Sequence, residues 1–173
     1  MSVVGRESVI VGLGSNMGER RLLIDAAVAH LRETRDTNVL RVSTLRETEP
    51  VGEESDGPLG GRYLNGVVEL ETGLDPIPFL ERCQAIEEAL GRTRSRPNAP
   101  RTIDLDLLLF GDRVLDTPRL RVPHPRLLER EFALEPVAEI APERLHPVSR
   151  RTMASHWEEL SGRPQQGSAD WPR

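Results

Sequence analysis

Three short apolar runs have the length and composition of buried β-strands, and segments of helical spacing stand between them. "SVIVGLG" (8–14) ends in glycines, "YLNGVVELET" (63–72) alternates apolar and polar residues, and "RTIDLDLLLF" (101–110) is nearly continuous. Residues 18–33 repeat apolar side chains at helical intervals through Leu22, Leu23, Ala26, Ala27 and Leu31, with "SN" (15–16) offered as a cap. A further strand is read over 38–47, and 76–90 reads as a helix starting after Asp75 and ending at Gly91. "RVL" and "LRVP" within 113–123 suit a small hairpin, and short helices are expected near 131–140 and 150–161. The order strand, helix, two strands, helix, strand predicts an α+β fold: an antiparallel sheet with helices on one side, in a split βαβ, ferredoxin-like plan.

At 173 residues the chain has room for one real core. A single domain is expected over 1–162, with "GRPQQGSADWPR" a frayed tail from 163 onward. "EPVGEESDGPLGGR" (49–62) is rich in Gly, Pro and acid and reads as a long exposed loop of the kind that serves as a lid. No stretch is long and apolar enough to span a membrane, and Met1 to Arg6 lacks the apolar middle of a signal peptide. Cys83 is the only cysteine, so no internal disulfide forms, which suits a reducing cytoplasm. The net charge of -5 argues against general nucleic-acid or membrane binding. All 23 basic residues are Arg, which removes lysine Schiff-base chemistry and the phosphate-loop lysine.

The strand at 101–110 poses a chemical problem. Ile103, Leu105, Leu107 and Leu109 should share the core face, which leaves Asp104 and Asp106 on the other, roughly 6.5 Å apart. At an effective dielectric near 20 two such carboxylates repel by roughly 3 kcal/mol, a cost that a divalent cation reverses. A solvated edge strand is the bland explanation for a bare Asp-x-Asp. The preceding "GRTRSRPNAPR" (91–101) shifts the balance: Arg92, Arg94, Arg96 and Arg101 stand there with no acid among them. Guanidinium forks bind phosphate bidentately and keep their charge. A basic loop leading into paired carboxylates reads as a phosphate-and-Mg²⁺ site of the phosphoryl-transfer type.

Other features are weaker alone. "GLGSNMG" (12–18) has the wrong spacing for a dinucleotide fingerprint and is better explained as a tight turn. Its Gly-Ser also suits a nucleotidyltransferase, but there the Asp pair follows shortly, whereas here about ninety residues intervene. His124, between two prolines, reads as structural by itself. Tyr63 and Asn65 share a strand face that suits a flat heterocycle or an ordinary surface, and Gln84 and Glu87 share a helix face.

Taken in order and spacing, "GLGSNMG", "ETEPVG", "YLNGVVELET", "LGRTRSRPNAPRTIDLDLLLFGD" and "VPHPRLLEREFALEPVAEIAP" resemble the 6-hydroxymethyl-7,8-dihydropterin pyrophosphokinases of folate biosynthesis, over roughly residues 8–145. The resemblance implies a ferredoxin-like αβα sandwich. It also implies transfer of the β,γ-pyrophosphoryl group of ATP to the pterin hydroxymethyl oxygen, with AMP released and two Mg²⁺ ions used. By it, Asp104 and Asp106 would hold both metals and Arg92 and Arg101 the phosphates, with Arg94 in the same loop. Gln84, Glu87, Arg119, His124 and Arg130 would face the nucleotide. The pterin would lie between Tyr63 and Phe132, with Asn65 on its edge and backbone groups near Thr48 and Val51 completing the pocket. Small-molecule substrates, a monomer and a cytoplasmic location follow as expectations. A nucleotidyltransferase and a non-catalytic ferredoxin-like module are the alternatives. The chain departs from the family in three places: no Trp precedes the "PR" of the Arg loop, Ser95 stands where some members carry Lys, and Pro125 where others carry an aromatic. Altered lid motion or nucleotide affinity is the expected consequence, with the reaction kept.

Overall fold

The structure, a computed structural model, describes residues 5–49, 62–91 and 103–162. The elements are β1 (Glu7–Ser15), α1 (Arg20–Arg32), β2 (Thr37–Val42), β3 (Arg46–Thr48), β4 (Tyr63–Thr72), α2 (Pro76–Ala89) and β5 (Asp104–Phe110). After them come the hairpin β6 (Leu115–Asp116) and β7 (Arg121–Val122), a 3-10 turn (Leu127–Glu129), α3 (Glu131–Ile140) and α4 (Met153–Ser161). The main sheet runs β2-β4-β1-β5, with β3 also on β4 and every pair antiparallel. β4 slots between β1 and β2, which is the split order that the sequence predicts. Among the described residues no helix is long and apolar enough to cross a membrane.

The expectation of helices on one side is corrected: they cover both faces. Val9, Val11, Leu13, Val68 and Leu70 pack with Ile24 and Leu31 of α1 and with Phe79, Cys83 and Ile86 of α2. Ile10, Val67, Leu108 and Leu109 pack with Leu134 and Val137 of α3 and with Met153 and Trp157 of α4. Strands apolar on both faces need cover on both, and the second layer comes from the segment after the last strand. The αβα sandwich implied by the resemblance therefore holds.

Three local expectations are also corrected. The strand read over 38–47 is two strands. At Ser43 the chain leaves β2's line, its N–H donating to Val67 O at 2.9 Å and its Oγ accepting from Val67 N at 2.9 Å. It then crosses over Gly66, where a Cβ would come within 2.5 Å of Leu45 Cδ2, and pairs again as β3. Leu109 does not share the face of Ile103, Leu105 and Leu107. The β1–β5 register shifts so that Val11 faces Leu107 but Ile10 faces Leu109. The extra residue is a bulge that turns both Leu108 and Leu109 toward α3 and α4. Ser15 ends β1, fully buried, and does not cap α1, which begins after Glu19 without a side-chain cap.

Candidate active site

Cross-strand pairing brings the candidate residues onto one face. Arg46 on β3 pairs with Asn65 on β4, Asn65 with Gly14 on β1, and Gly14 with Asp104 on β5. The next row runs Val67, Gly12, Asp106, and Thr48 pairs with Tyr63 on the other side. Directly paired residues project from the same face, so Thr48, Tyr63, Asn65, Asp104 and Asp106 all rise from one surface. Two strand spacings, roughly 10 Å, separate Asn65 from Asp104. The floor between them is bare because β1 carries glycines there. A Cβ on Gly14 would lie 3.0 Å from Asn65 Oδ1, and one on Gly12 would lie 3.5 Å from Leu108 Cδ1 and 3.7 Å from Asp106 Cβ. Asn65 is buried, and its Nδ2 donates to Thr48 Oγ1, which fixes its amide plane at the pocket edge.

β5 is the edge of the main sheet, as the bland reading of Asp-x-Asp requires, but the edge is not left to solvent. Glu87, only 3% exposed on α2, accepts from Leu105 N at 2.8 Å. Further along, Leu108 O accepts from His124 N at 2.9 Å. These two bonds pin the strand on either side of Asp106. Between them a cleft of about 710 Å³ opens along the edge, lined by Leu80, Asp106, Thr117, Arg119, Arg121 and His124 among others. Arg119 pairs with Glu81 at 3.0 Å and Arg121 with Asp116 at 2.8 Å, all four exposed, so these guanidiniums are cheaply redirected toward a ligand.

Burial, with the nearby charges of Arg130 and Arg126, holds the His124 pKa below the ordinary value; Asp104 opposes this. His124 Nδ1 accepts from Arg126 N at 3.1 Å, which leaves Nε2 as the N–H donor of the neutral ring. Arg130 lies over the Phe132 ring, 5.5 Å from its centroid, at the start of α3. Burial pushes the Cys83 thiol up to about 12, so it plays no nucleophilic part.

Two half-buried carboxylates on one face fit Mg²⁺, which takes one or two carboxylates and completes its shell with phosphate oxygens and water. Among the described residues no group of three or more His, Cys, Asp and Glu side chains could hold an ion. Arg92, Arg94, Arg96, Arg101 and Val51 lie outside the described residues, as do most of the loops read over 49–62 and 91–101 and the tail from 163.

The model of one protein family, 7,8-dihydro-6-hydroxymethylpterin-pyrophosphokinase (HPPK), matches residues 10–142. The chain belongs to this family. Membership makes it an enzyme, an ATP-dependent pyrophosphokinase acting on 6-hydroxymethyl-7,8-dihydropterin in folate biosynthesis. It is 46% identical over 130 residues to the 2-amino-4-hydroxy-6-hydroxymethyldihydropteridine pyrophosphokinase of Bacillus subtilis (strain 168), covering 75% of each chain. It is 43% identical over 144 residues to the Pseudomonas aeruginosa protein of the same name, covering 83% of this chain and 86% of that one. Among solved structures, the wild-type Plasmodium falciparum HPPK-DHPS shares the fold with a TM-score of 0.69 at 17% identity, over 92% of this chain and 42% of that one. An HPPK-DHPS in complex with substrates gives 0.68 at 15%, over 90% and 43%. The chain thus spans less than half of those two structures. The nucleotidyltransferase and binding-module alternatives fall with this result.

Three features of this pyrophosphokinase escaped the sequence reading. Gly12 and Gly14 lie in the strand read over 8–14, but only the structure shows that they keep the floor open; their alternate spacing in a strand is the signal. Arg121 lines the same cleft as Arg119, with nothing in the sequence to mark it. Arg46 stands in the same row as Asn65, which only the register shows.

Proposed function

We propose that the face described above binds the pterin against the β3–β4 side and the triphosphate against β5, with transfer between them. The single observation that carries this is the row Asn65–Gly14–Asp104, an amide and a carboxylate about two strands apart over a glycine floor. Tyr63 and Phe132 form the walls for the flat ring. The Asn65 amide, oriented by Thr48, reads its edge, and backbone near Thr48 and Val51 closes the pocket. The adenosine end occupies the cleft beside β5, with Gln84 and Arg119 on its side. Glu87 acts from beneath by holding Leu105 and so the strand that carries both aspartates.

Asp104 and Asp106 would hold two Mg²⁺ ions, which would supply neutralisation of the phosphates' negative charge when bound. The chain's own work is positioning. Neutral His124 donates from Nε2 to a phosphate oxygen, and Arg130, Arg92, Arg94 and Arg101 place fixed positive charge around the group in flight. As the pterin hydroxyl oxygen bonds to the β-phosphorus, the bond from that phosphorus to the α-phosphate oxygen breaks, AMP leaves, and the hydroxyl proton passes to solvent water. A monomer in the cytoplasm completes this reading. The test is direct: with ATP, Mg²⁺ and the hydroxymethyl pterin, AMP should appear in step with the pterin diphosphate. Release of pyrophosphate instead, or AMP formation indifferent to the pterin, would refute the assignment.

A further inference from the structure

Phe132 and the Thr48–Tyr63–Asn65 wall belong to different elements, so something must set the distance between them. β3 is only three residues long and pairs with β4 alone. Its Arg46 reaches out to α3: Nη2 donates to Glu139 Oε1 at 2.9 Å, and Nε lies 3.7 Å from Glu135 Oε1. The other oxygen of Glu139 accepts from Thr44 N at 2.8 Å. Phe132, Glu135 and Glu139 fall at intervals of three and four along α3, on one stripe of the helix. The guanidinium therefore sits between two carboxylates of the very stripe that presents Phe132. The side chains of all three charged residues are only 18 to 25% exposed, where charge-assisted bonds are strong and geometry is held. On the opposite face of β3, Glu47 pairs with Arg20 at the start of α1.

We infer that Arg46 is a positioning residue for the reaction: with Glu135 and Glu139 it forms a clamp that fixes the gap between the two walls of the pterin pocket. This rests on the pterin reading above. Burial alone would raise the pKa of Glu139, but its bonds from Thr44 and the charge of Arg46 outweigh that and keep it ionised, so the clamp is closed at neutral pH.

The test compares Arg46→Met and Arg46→Lys with the parent in AMP release, with each substrate varied in turn. The Met variant should raise the KM for the pterin on the order of tenfold, with the ATP KM within about twofold. The Lys variant, which reaches one carboxylate at a time, should fall between, and it decides the matter if the Met variant does not fold. A purely structural ion pair would lower the unfolding temperature and leave both KM values alone; that result, or an equal rise in both, overturns the clamp. A parent protein that binds ATP but makes no AMP from the pterin would overturn the underlying reading, and the clamp with it.

Discussion

The two faces of the sheet are built from the same strands and do different things. On the α1–α2 face the strands present Val9, Val11, Leu13, Val68 and Leu70, and the helices close over them in one continuous core. On the α3–α4 face the packing stops partway along: Ile10, Val67, Leu108 and Leu109 are covered, and beyond them the strands carry Gly12, Gly14, Asn65, Asp104 and Asp106. One face spends all its area on stability; the other gives half of its area to a floor that a ligand can reach. Substitutions should therefore separate cleanly, with activity lost on one side and stability on the other.

The largest contrast is expected at Asp106. Asp106→Asn should lower turnover on the order of 10³-fold, read as AMP release, because the proposed phosphate site loses a negative charge. Its unfolding temperature should stay within about 2 °C of the parent. An active Asp106→Asn protein would break the division. The converse variant is Phe79→Ala. Phe79 is fully buried and meets Phe110 edge-on at 5.9 Å, so truncation should cost about 3–5 kcal/mol in denaturant unfolding while leaving both KM values of the folded fraction unchanged. Between these lies Gly14→Ala. The added methyl would press Asn65 Oδ1 at 3.0 Å. A rise of roughly tenfold in pterin KM with little change in stability would sharpen the contrast. An unchanged pterin KM would show that the floor need not be bare.

The smallest effect lies behind the α3–α4 layer, far from the chemistry. His146 and His156 are buried with their rings 5.8 Å apart, and Ser149 Oγ sits 2.6 Å from His156 Nε2. Burial, with the neighbouring positive charge each would feel, holds both pKa values below the ordinary one. A depressed histidine favours the neutral form in the folded state. The stability it supports is present above the ordinary histidine pKa of about 6.5 and is lost as pH falls through the folded value. The urea midpoint should therefore drop between about pH 7 and pH 5. His156→Gln should flatten that slope without touching activity at neutral pH. An unaltered slope would assign the acid sensitivity elsewhere.

Much of this division was legible in the chain itself. Short apolar runs, alternating in β4 and nearly continuous in β5, mark β1, β4 and β5 as strands. Asp104 and Asp106, two charges in an apolar strand behind an arginine-rich loop, mark a candidate phosphate site on chemical grounds alone. The candidate pterin residues Tyr63 and Asn65 are not legible in this way, since they look like any strand surface, and nor is His124 on the nucleotide side, which looks like any loop histidine. The resemblance to a family singles them out, and the register puts Tyr63 and Asn65 on the face that carries Asp104 and Asp106.

Sequence alone settled where most of the strands and helices lie and which charges demand a partner, since both follow from local spacing and from the cost of burying a charge. Only the tertiary structure decided what shares a face with what. The bulge at Leu108, the crossing of Leu45 over Gly66, the glycine floor and the hold of Arg46 on α3 all depend on pairing between residues distant in the chain. A slip of one residue in that pairing would turn every side chain of a strand to the other face, so the site exists only once the register is set.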